Sequence, residues 1–404
     1  MTRPTVLFYC QHSLGLGHLV RSFALAEALA ARFRVVLLNG GRVPRGMPLP
    51  AGVEVVSVPP LGMSVDGTLV SHDGRRSAER ALELRRDQML ALHDEVRPDV
   101  VFVELFPFGR KKFAVELLPL LRAARAAGAL TVCSVRDILV GSRPDQARHD
   151  ERASTTANEL FDAILVHADP AFARLEDSFR PATPLRTPVH YTGFVLPRSE
   201  ASRAIAPRPE ATERPRVLVS AGGGLYGGDL MRAAVDAHRL DLADAGIDLR
   251  LVCGPFLPDD EWRALRAAAR GRRGLDVRRS VPDLRAELAT AAASVSQCGY
   301  NTALDVLHAG VPALVVPFRA GQEDEQDRRA DRLERMGALR MLEAERADGA
   351  TLAAEVRALL EFRPAPVELS FDGARTTTLI VGNLLARAAA PARAGAPVLQ
   401  AAAP

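Results

Sequence analysis

Ser296-Gln297-Cys298-Gly299-Tyr300-Asn301-Thr302-Ala303-Leu304-Asp305-Val306-Leu307-His308-Ala309-Gly310-Val311-Pro312 is the stretch from which the rest of the chain is best read. An apolar strand ends at Ser296, Gly299 permits a sharp turn, and Asn301 or Thr302 can cap the helix that follows. The N–H groups at such a helix start have no intrahelical acceptor, and the helix dipole adds positive potential there. Together they can hold a phosphate without a metal ion. Asp305 falls one turn into the helix, where a carboxylate can take both hydroxyls of a ribose. A cap plus a first-turn acid accounts for Asn301 and Asp305 separately, but not for the whole string.

Downstream, the apolar run Leu314-Val315-Val316-Pro317-Phe318 leads into Gly321-Gln322-Glu323-Asp324-Glu325-Gln326-Asp327. An acidic run at a helix start partners the dipole; it can equally present Glu325 and Gln326 to the hydroxyls of a sugar. Upstream, Ala221-Gly222-Gly223-Gly224-Leu225-Tyr226-Gly227-Gly228 follows a strand and satisfies Gly-x-Gly-x-x-Gly at Gly222, Gly224 and Gly227. A dinucleotide site also wants an acid ending the second strand, to hold the ribose. Here that strand ends Leu251-Val252-Cys253-Gly254, so the loop suits a diphosphate rather than NAD.

Near the N-terminus, Ser13-Leu14-Gly15-Leu16-Gly17-His18 joins a strand to a helix, and Val20 stands where a third glycine would be. Gly15 and Gly17 allow close backbone approach to a ligand. The positive helix end lowers the pKa of His18 and leaves a neutral imidazole able to accept a proton. A capping or packing role is the plainer alternative.

Short apolar runs alternate with helical stretches on both sides of these loops. The strands Thr5 to Cys10, Arg34 to Leu38, Asp99 to Glu104, Leu130 to Val135 and Ala163 to His167 are separated by helices. The pattern breaks at residues 197–215 into Pro, Ser, Arg, Glu and Ala, then restarts at Arg216. This is α/β alternation with parallel sheets. It divides into an N-terminal domain (1–196), a linker (197–215), a C-terminal domain (216–370), a helix over 371–387 that can pack back on the first domain, and a disordered Ala/Pro-rich tail (388–404).

Bulk properties narrow the function. The chain has 404 residues, 25% of them charged, with a net charge of only +3. A dedicated nucleic-acid binder would be far more basic, so no nucleic-acid partner is expected. Only Lys111 and Lys112 are lysines, an arginine bias that a GC-rich genome explains. Cys10, Cys133, Cys253 and Cys298 stand singly, which predicts reduced thiols and a cytoplasmic location. The start has no signal-peptide layout, and no apolar run approaches the roughly 18 residues of a membrane span.

The first loop, the Ser296 to Pro312 string and the acidic run together resemble the MurG-type glycosyltransferases, of the family 28 C-terminal-domain type, and more broadly the nucleotide-sugar transferases of GT-B architecture. The resemblance is most specific from about Val281 to Gly337. It implies two Rossmann-like domains facing across a cleft, with Gly222, Gly223, Gly224 and the Gly299-Tyr300-Asn301-Thr302 turn around the donor diphosphate. It further implies Val281 on the nucleotide base, Asp305 on the ribose, Glu325 with Gln326 on the donor sugar, and His18 in the cleft near acceptor and phosphates. The family's first loop is richer in glycine, and one of its paired sugar-site glutamines is Glu325 here. The N-terminal half beyond His18 shows little resemblance, so the acceptor stays open: small molecule, lipid-linked or polysaccharide.

In that half, Glu104-Leu105-Phe106-Pro107-Phe108-Gly109-Arg110-Lys111-Lys112-Phe113 ends a strand and opens a helix. Cations there oppose the helix dipole, so Arg110, Lys111 and Lys112 are candidates for an anionic acceptor or a peripheral membrane surface, with the phenylalanines stacking on a sugar or entering an interface. A plain solvated loop is the alternative. The expected chemistry is an inverting, metal-independent transfer from a UDP-sugar, without a resident cofactor. His18 is the first candidate base, then Glu104 or Asp137. A nucleotide-sugar hydrolase or 2-epimerase, or a non-catalytic nucleotide-sugar-binding subunit, would share much of this pattern.

Overall fold

The computed structural model describes residues 3–12, 16–64, 67–197, 214–318 and 324–389. The N-terminal domain runs β1 (Thr5–Cys10), α1 (Gly17–Ala30), β2 (Arg34–Asn39), β3 (Val53–Ser57), β4 (Leu61–Met63), β5 (Leu69–Ser71), α2 (Ala78–Val96), β6 (Val100–Glu104), α3 (Ala114–Ala126), β7 (Leu130–Arg136), α4 (Gln146–Leu160), β8 (Ala163–His167) and β9 (Val189–Tyr191). The C-terminal domain runs β10 (Arg216–Ser220), α5 (Gly228–Ala237), β11 (Asp248–Val252), α6 (Asp259–Ala269), β12 (Leu275–Arg278), α7 (Leu284–Ala289), β13 (Ala293–Ser296), α8 (Tyr300–Ala309), β14 (Ala313–Val315), α9 (Glu325–Arg335), β15 (Arg340–Met341) and α10 (Gly349–Glu361). A last helix, α11 (Gly373–Ala389), follows.

Seven strands form one parallel sheet in the order β3-β2-β1-β6-β7-β8-β9, and six form a second in the order β12-β11-β10-β13-β14-β15. The chain is thus α/β with two doubly wound sheets. Each sheet has its first strand in an interior position, so the chain reverses direction beside β1 and beside β10. Ligands of such sheets lie beyond the carboxyl ends of the strands at that reversal. There, register sets Glu104 of β6 beside Ser134, and Arg136 of β7 beside His167 of β8.

Burial on both faces explains the uninterrupted apolar strands. Side chains alternate across β1: Val6, Phe8 and Cys10 pack with Leu19 and Phe23 of α1, whereas Leu7 and Tyr9 pack with Met89 of α2 and Leu117 of α3. In the second sheet Val217 and Val219 join Met231 of α5 and Val356 of α10, while Leu218 faces Leu304 and Val306 of α8. Helix α11 returns to the N-terminal domain, where Val381, with Ala374, Ile380 and Leu385, joins the apolar cluster of α1. One apolar cluster is continuous between the domains, linking Phe172 and Phe194 to Tyr300, Ala330 and Leu333.

The small antiparallel pair β4–β5 and the short strands β9 and β15 are additions to the sequence reading. Two- and three-residue strands carry too little periodicity to register in a sequence. Most of the expected linker and tail (198–213 and 390–404) lies outside the described residues, although Ala388 and Ala389 are the last residues of α11.

Candidate active site

Helix α1 begins at Gly17 with no side chain capping its first turn and no acid in it. Helix α8 begins after Gly299, and it too has no side-chain cap. Asn301 and Thr302 therefore do not cap α8, as the sequence reading had allowed. Gly299 is itself the N-cap residue, and the N–H groups of the first turn stay open. The two helix starts meet across the cleft, where Asn301 Nδ2 donates to the Gly17 carbonyl at 3.1 Å. Asn301 Oδ1 is buried there without a partner. The two converging positive helix ends suit an anionic, phosphate-bearing ligand, whereas Asn301 Oδ1 calls for a donor such as a hydroxyl.

His18, the second residue of α1, lies within 2.6 Å of Glu104 Oε1 through Nδ1. Arg21, one turn along the same helix, donates through NH2 to the same oxygen at 2.6 Å. Arg21 NH2 is also 3.2 Å from His18 Nδ1, but a nitrogen 2.6 Å from an ionised carboxylate must itself carry the proton. The tautomer is thus Nδ1–H, donating to Glu104, with the lone pair on Nε2. Burial is the main cause that lowers the His18 pKa, to about 3; Glu104 opposes the shift, and Arg110 and Arg21 reinforce it. His18 is therefore neutral near pH 7. Burial alone would raise the Glu104 carboxyl, but the surrounding donors His18, Arg110 and Arg21 hold it far below its usual range. We take the two arginines as its charge partners, since His18 is neutral. Glu104 is thus the fixed anion behind His18, fully buried, and not itself a base facing the acceptor.

Asp137 departs from its expected role. Its two oxygens accept from Arg329 Nε and NH2 at 2.7 and 2.8 Å, and Arg329 NH1 donates to the Cys298 carbonyl at 2.8 Å. Burial pushes the Asp137 carboxyl up, but Arg329 outweighs it and lowers the pKa. With both oxygens occupied and ionised, Asp137 is a strut between the domains rather than a base. Glu325 is similarly engaged. It pairs with Arg136 across the domains, its Oε1 accepting from Arg136 NH1 at 2.5 Å. Gln326 keeps a freer position: Oε1 accepts the backbone N–H groups of Cys298 and Phe318 at 3.1 and 3.2 Å.

Arg110, Lys111 and Lys112 do not form one exposed patch. Arg110 turns inward, its NH2 3.7 Å from Glu104 Oε2, with its side chain only 12% exposed. Only Lys111 and Lys112 are exposed, and Lys112 donates to the Gly67 carbonyl. Phe106, Phe108 and Phe113 are buried core, so none of them reaches an interface. Among the described residues no helix is long and apolar enough to cross a membrane.

In the C-terminal domain Gly224 has φ +88°, and a Cβ there would lie 2.3 Å from the Cys253 carbonyl oxygen. Its tight turn exposes Gly222 and half-exposes Gly223 beside α8; a Cβ on Gly222 would sit 3.8 Å from Thr302 Oγ1. A Cβ on Gly299 would meet nothing within 4 Å. Asp305 has Arg285 Nε at 3.4 Å from Oδ1. Burial raises its pKa to about 7, against the pull of Arg285 and with a push from Asp283. Val281 is half-buried against the same core as Leu304. Tyr300 is not exposed to a ligand: its ring is buried, its hydroxyl donates to the His167 carbonyl at 2.9 Å and accepts from the Val195 N–H at 2.9 Å. Gly15 lies outside the described residues.

Sequence reasoning missed Arg21, which the three-residue spacing from His18 on one helix face could have flagged. It also missed the stacked pair Tyr226 and Phe318, with ring centroids 4.5 Å apart and planes at 17°. Nothing in the linear order brings those two rings together.

Residues 230–373 match the glycosyltransferase family 28 C-terminal domain. Two curated relatives carry the name UDP-N-acetylglucosamine--N-acetylmuramyl-(pentapeptide) pyrophosphoryl-undecaprenol N-acetylglucosamine transferase. That of Xylella fastidiosa is 30% identical over 34% of this chain and 37% of its own length. That of Solidesulfovibrio magneticus is 29% identical over 40% of this chain and 45% of its own. The matched part thus spans under half the length of either relative. Among solved structures, MurG of Acinetobacter baumannii superposes with a TM-score of 0.55 at 15% identity, covering 95% of this chain and 99% of that one. The calicheamicin glycosyltransferase CalG4 gives 0.57 at 18%, covering 97% and 96%. UGT2 of Phytolacca americana, complexed with UDP-2fluoro-glucose and pterostilbene, gives 0.59 at 17%, covering 96% and 95%. At those identities the likeness is one of fold, the two-domain GT-B fold. The chain thus has the two-domain GT-B fold, and its residues 230–373 match the glycosyltransferase family 28 C-terminal domain.

Proposed function

We propose that this protein is an inverting glycosyltransferase that moves a sugar from a nucleoside diphosphate sugar, UDP-linked by preference, to a hydroxyl acceptor. The observation that carries the reading is the 2.6 Å contact between His18 Nδ1 and Glu104, next to the Asn301–Gly17 bridge. It sets a free imidazole lone pair beside the uncapped start of α8.

The donor diphosphate occupies the first turn of α8 and the Gly222-Gly223-Gly224 loop, with Asp305 on the ribose, Val281 against the base and the Gln326 amide on the sugar. The acceptor hydroxyl lies against His18 Nε2. As the hydroxyl oxygen attacks the anomeric carbon, its proton passes to Nε2, and the bond to the diphosphate oxygen breaks on the opposite face. One displacement inverts the anomeric centre. Glu104 stabilises the imidazolium as it forms, the role a buried carboxylate plays behind a catalytic histidine. The α8 dipole and N–H groups take up the charge that grows on the leaving diphosphate, a preorganised stabilisation that needs no metal.

A thermal-shift screen over nucleoside diphosphates and their sugars tests the donor, because a ligand that binds only the native state raises Tm. A shift with UDP and its sugars, absent in an Asp305→Ala variant, supports the reading. No shift with any nucleoside diphosphate rejects it. Sugar release from the donor by water alone, at a rate no acceptor improves, would point instead to a hydrolase.

A further inference from the structure

Arg21 is almost wholly buried, with 1% of its side chain exposed, yet it is not needed to neutralise a surface. One end holds Glu104 Oε1 at 2.6 Å, in the N-terminal domain. Its guanidinium carbon lies 5.1 Å from the ring centroid of Tyr300, in the C-terminal domain. Arg329 lies 5.9 Å from the same centroid and is itself locked to Asp137. Tyr300 is the first residue of α8, the helix whose open start faces His18. One guanidinium thus touches both the carboxylate behind the base and the helix assigned to the diphosphate.

We propose that Arg21 is a positioning residue that makes the His18–Glu104 pair depend on domain closure, with the Tyr300 ring as its seat. This rests on the glycosyltransferase reading above. Were the C-terminal domain to move away, the aromatic face would leave Arg21, and the guanidinium would gain freedom to leave Glu104. The ring quadrupole attracts a cation on an aromatic face, most strongly when the pair is desolvated as here, and so biases the position of the buried side chain. The base would then be poised only when the donor helix is in place, which disfavours proton transfer in an open cleft.

The charged and titratable groups facing this assembly are Glu104 of β6, Arg110 of the loop after it, Cys10 and His12 at the end of β1, His167 of β8, Asp137 after β7, and Tyr300 and Arg329 from the C-terminal domain. Among them Arg21 and Arg110 lower the His18 pKa and Glu104 raises it. Removing the Arg21 charge therefore moves the acid limb of the kcat/KM profile to higher pH.

The test compares wild type, Arg21→Gln, Tyr300→Leu, Tyr300→Phe and the double variant Arg21→Gln/Tyr300→Leu, once a donor and acceptor pair has been found. Arg21→Gln and Tyr300→Leu should each lower kcat about tenfold or more and shift the acid limb upward, with UDP binding by thermal shift retained. Tyr300→Phe keeps the ring and should keep the limb in place. The double variant should be no worse than the poorer single one. An unmoved acid limb in Arg21→Gln, or effects that multiply in the double variant, would overturn the inference. So would loss of UDP binding in Arg21→Gln, which would make its role one of donor binding or fold. A wild type that transfers no sugar from any nucleotide donor would sink the glycosyltransferase reading instead, and a Tm screen of the variants separates either result from misfolding.

Discussion

Asp137 of the N-terminal domain and Arg329 of the C-terminal domain form a two-bond ion pair, at 2.7 and 2.8 Å, with 0% and 2% of their side chains exposed. Removing one partner of such a pair strands a buried charge and typically costs about 3–5 kcal/mol. Asp137→Ala should therefore lower stability to that extent in chemical denaturation. Asp137→Leu combined with Arg329→Met should lose much less. A double variant that loses as much as the single losses added together would mean that the pair does not act as a unit.

His18→Ala should reduce turnover by about 10²–10⁴-fold, the usual contribution of a general base. Donor affinity should stay close to wild type, because the proposed mechanism sets His18 against the acceptor. Glu104→Gln should also lower kcat, since the imidazolium would form without its anion. Single-turnover rates against donor titrations separate the two effects, and near-normal turnover in His18→Ala would remove the histidine from the mechanism.

Two glycines should respond in opposite ways. Gly224 has φ +88° and would drive a Cβ to 2.3 Å from the Cys253 carbonyl, so Gly224→Ala should cost stability through backbone strain and collision. Gly299 has φ −64° and open space around it. Gly299→Ala should cost at most about 1 kcal/mol as a poorer N-cap, yet weaken diphosphate binding about tenfold or more, because the methyl group would stand where the proposed mechanism puts the phosphate. Calorimetric titration with UDP, beside thermal melts, reads both.

Acid should begin to unfold this protein at an unusually mild pH. Burial, the leading cause in each case, lowers His12 to about 4 and both His18 and His167 to about 3, from 6.5 in the unfolded chain. The unfolded state thus binds more protons between pH 6.5 and about 3, so the stability these groups contribute is present above 6.5 and is lost as pH falls through that window. Melting temperature should decline from about pH 6.5 downward, before most carboxylates titrate. A flat Tm between pH 6.5 and 5 would contradict this.

The alternation of apolar runs and loops made the two parallel sheets legible, because strands buried on both faces leave unbroken apolar runs such as Thr5 to Cys10. The loops that open α1 and α8 were legible for a related reason: glycine at the carboxyl end of an interior strand marks where backbone approaches a ligand. What the sequence could not supply was pairing between the domains. Nothing in linear order says that Asp137 meets Arg329 or that Glu325 meets Arg136, since each partner lies 189 or more positions away. Asp137 and Glu104 both sit near strand ends at the same sheet edge. Only their neighbours decide that one backs the histidine and the other fastens the domains. Arg110 was misjudged likewise, because a cation beside two lysines hides the one that turns inward.

Gln326 has a further consequence. Two main-chain N–H groups, from Cys298 and Phe318, converge on its Oε1, which fixes which end of the amide is oxygen and leaves only hydrogen-bearing nitrogen to point elsewhere. Any group lodged against that end has to offer a lone pair. A hydroxyl oxygen, an acetamido carbonyl or a carboxylate meets this demand, whereas a protonated amine would find N–H opposed to N–H.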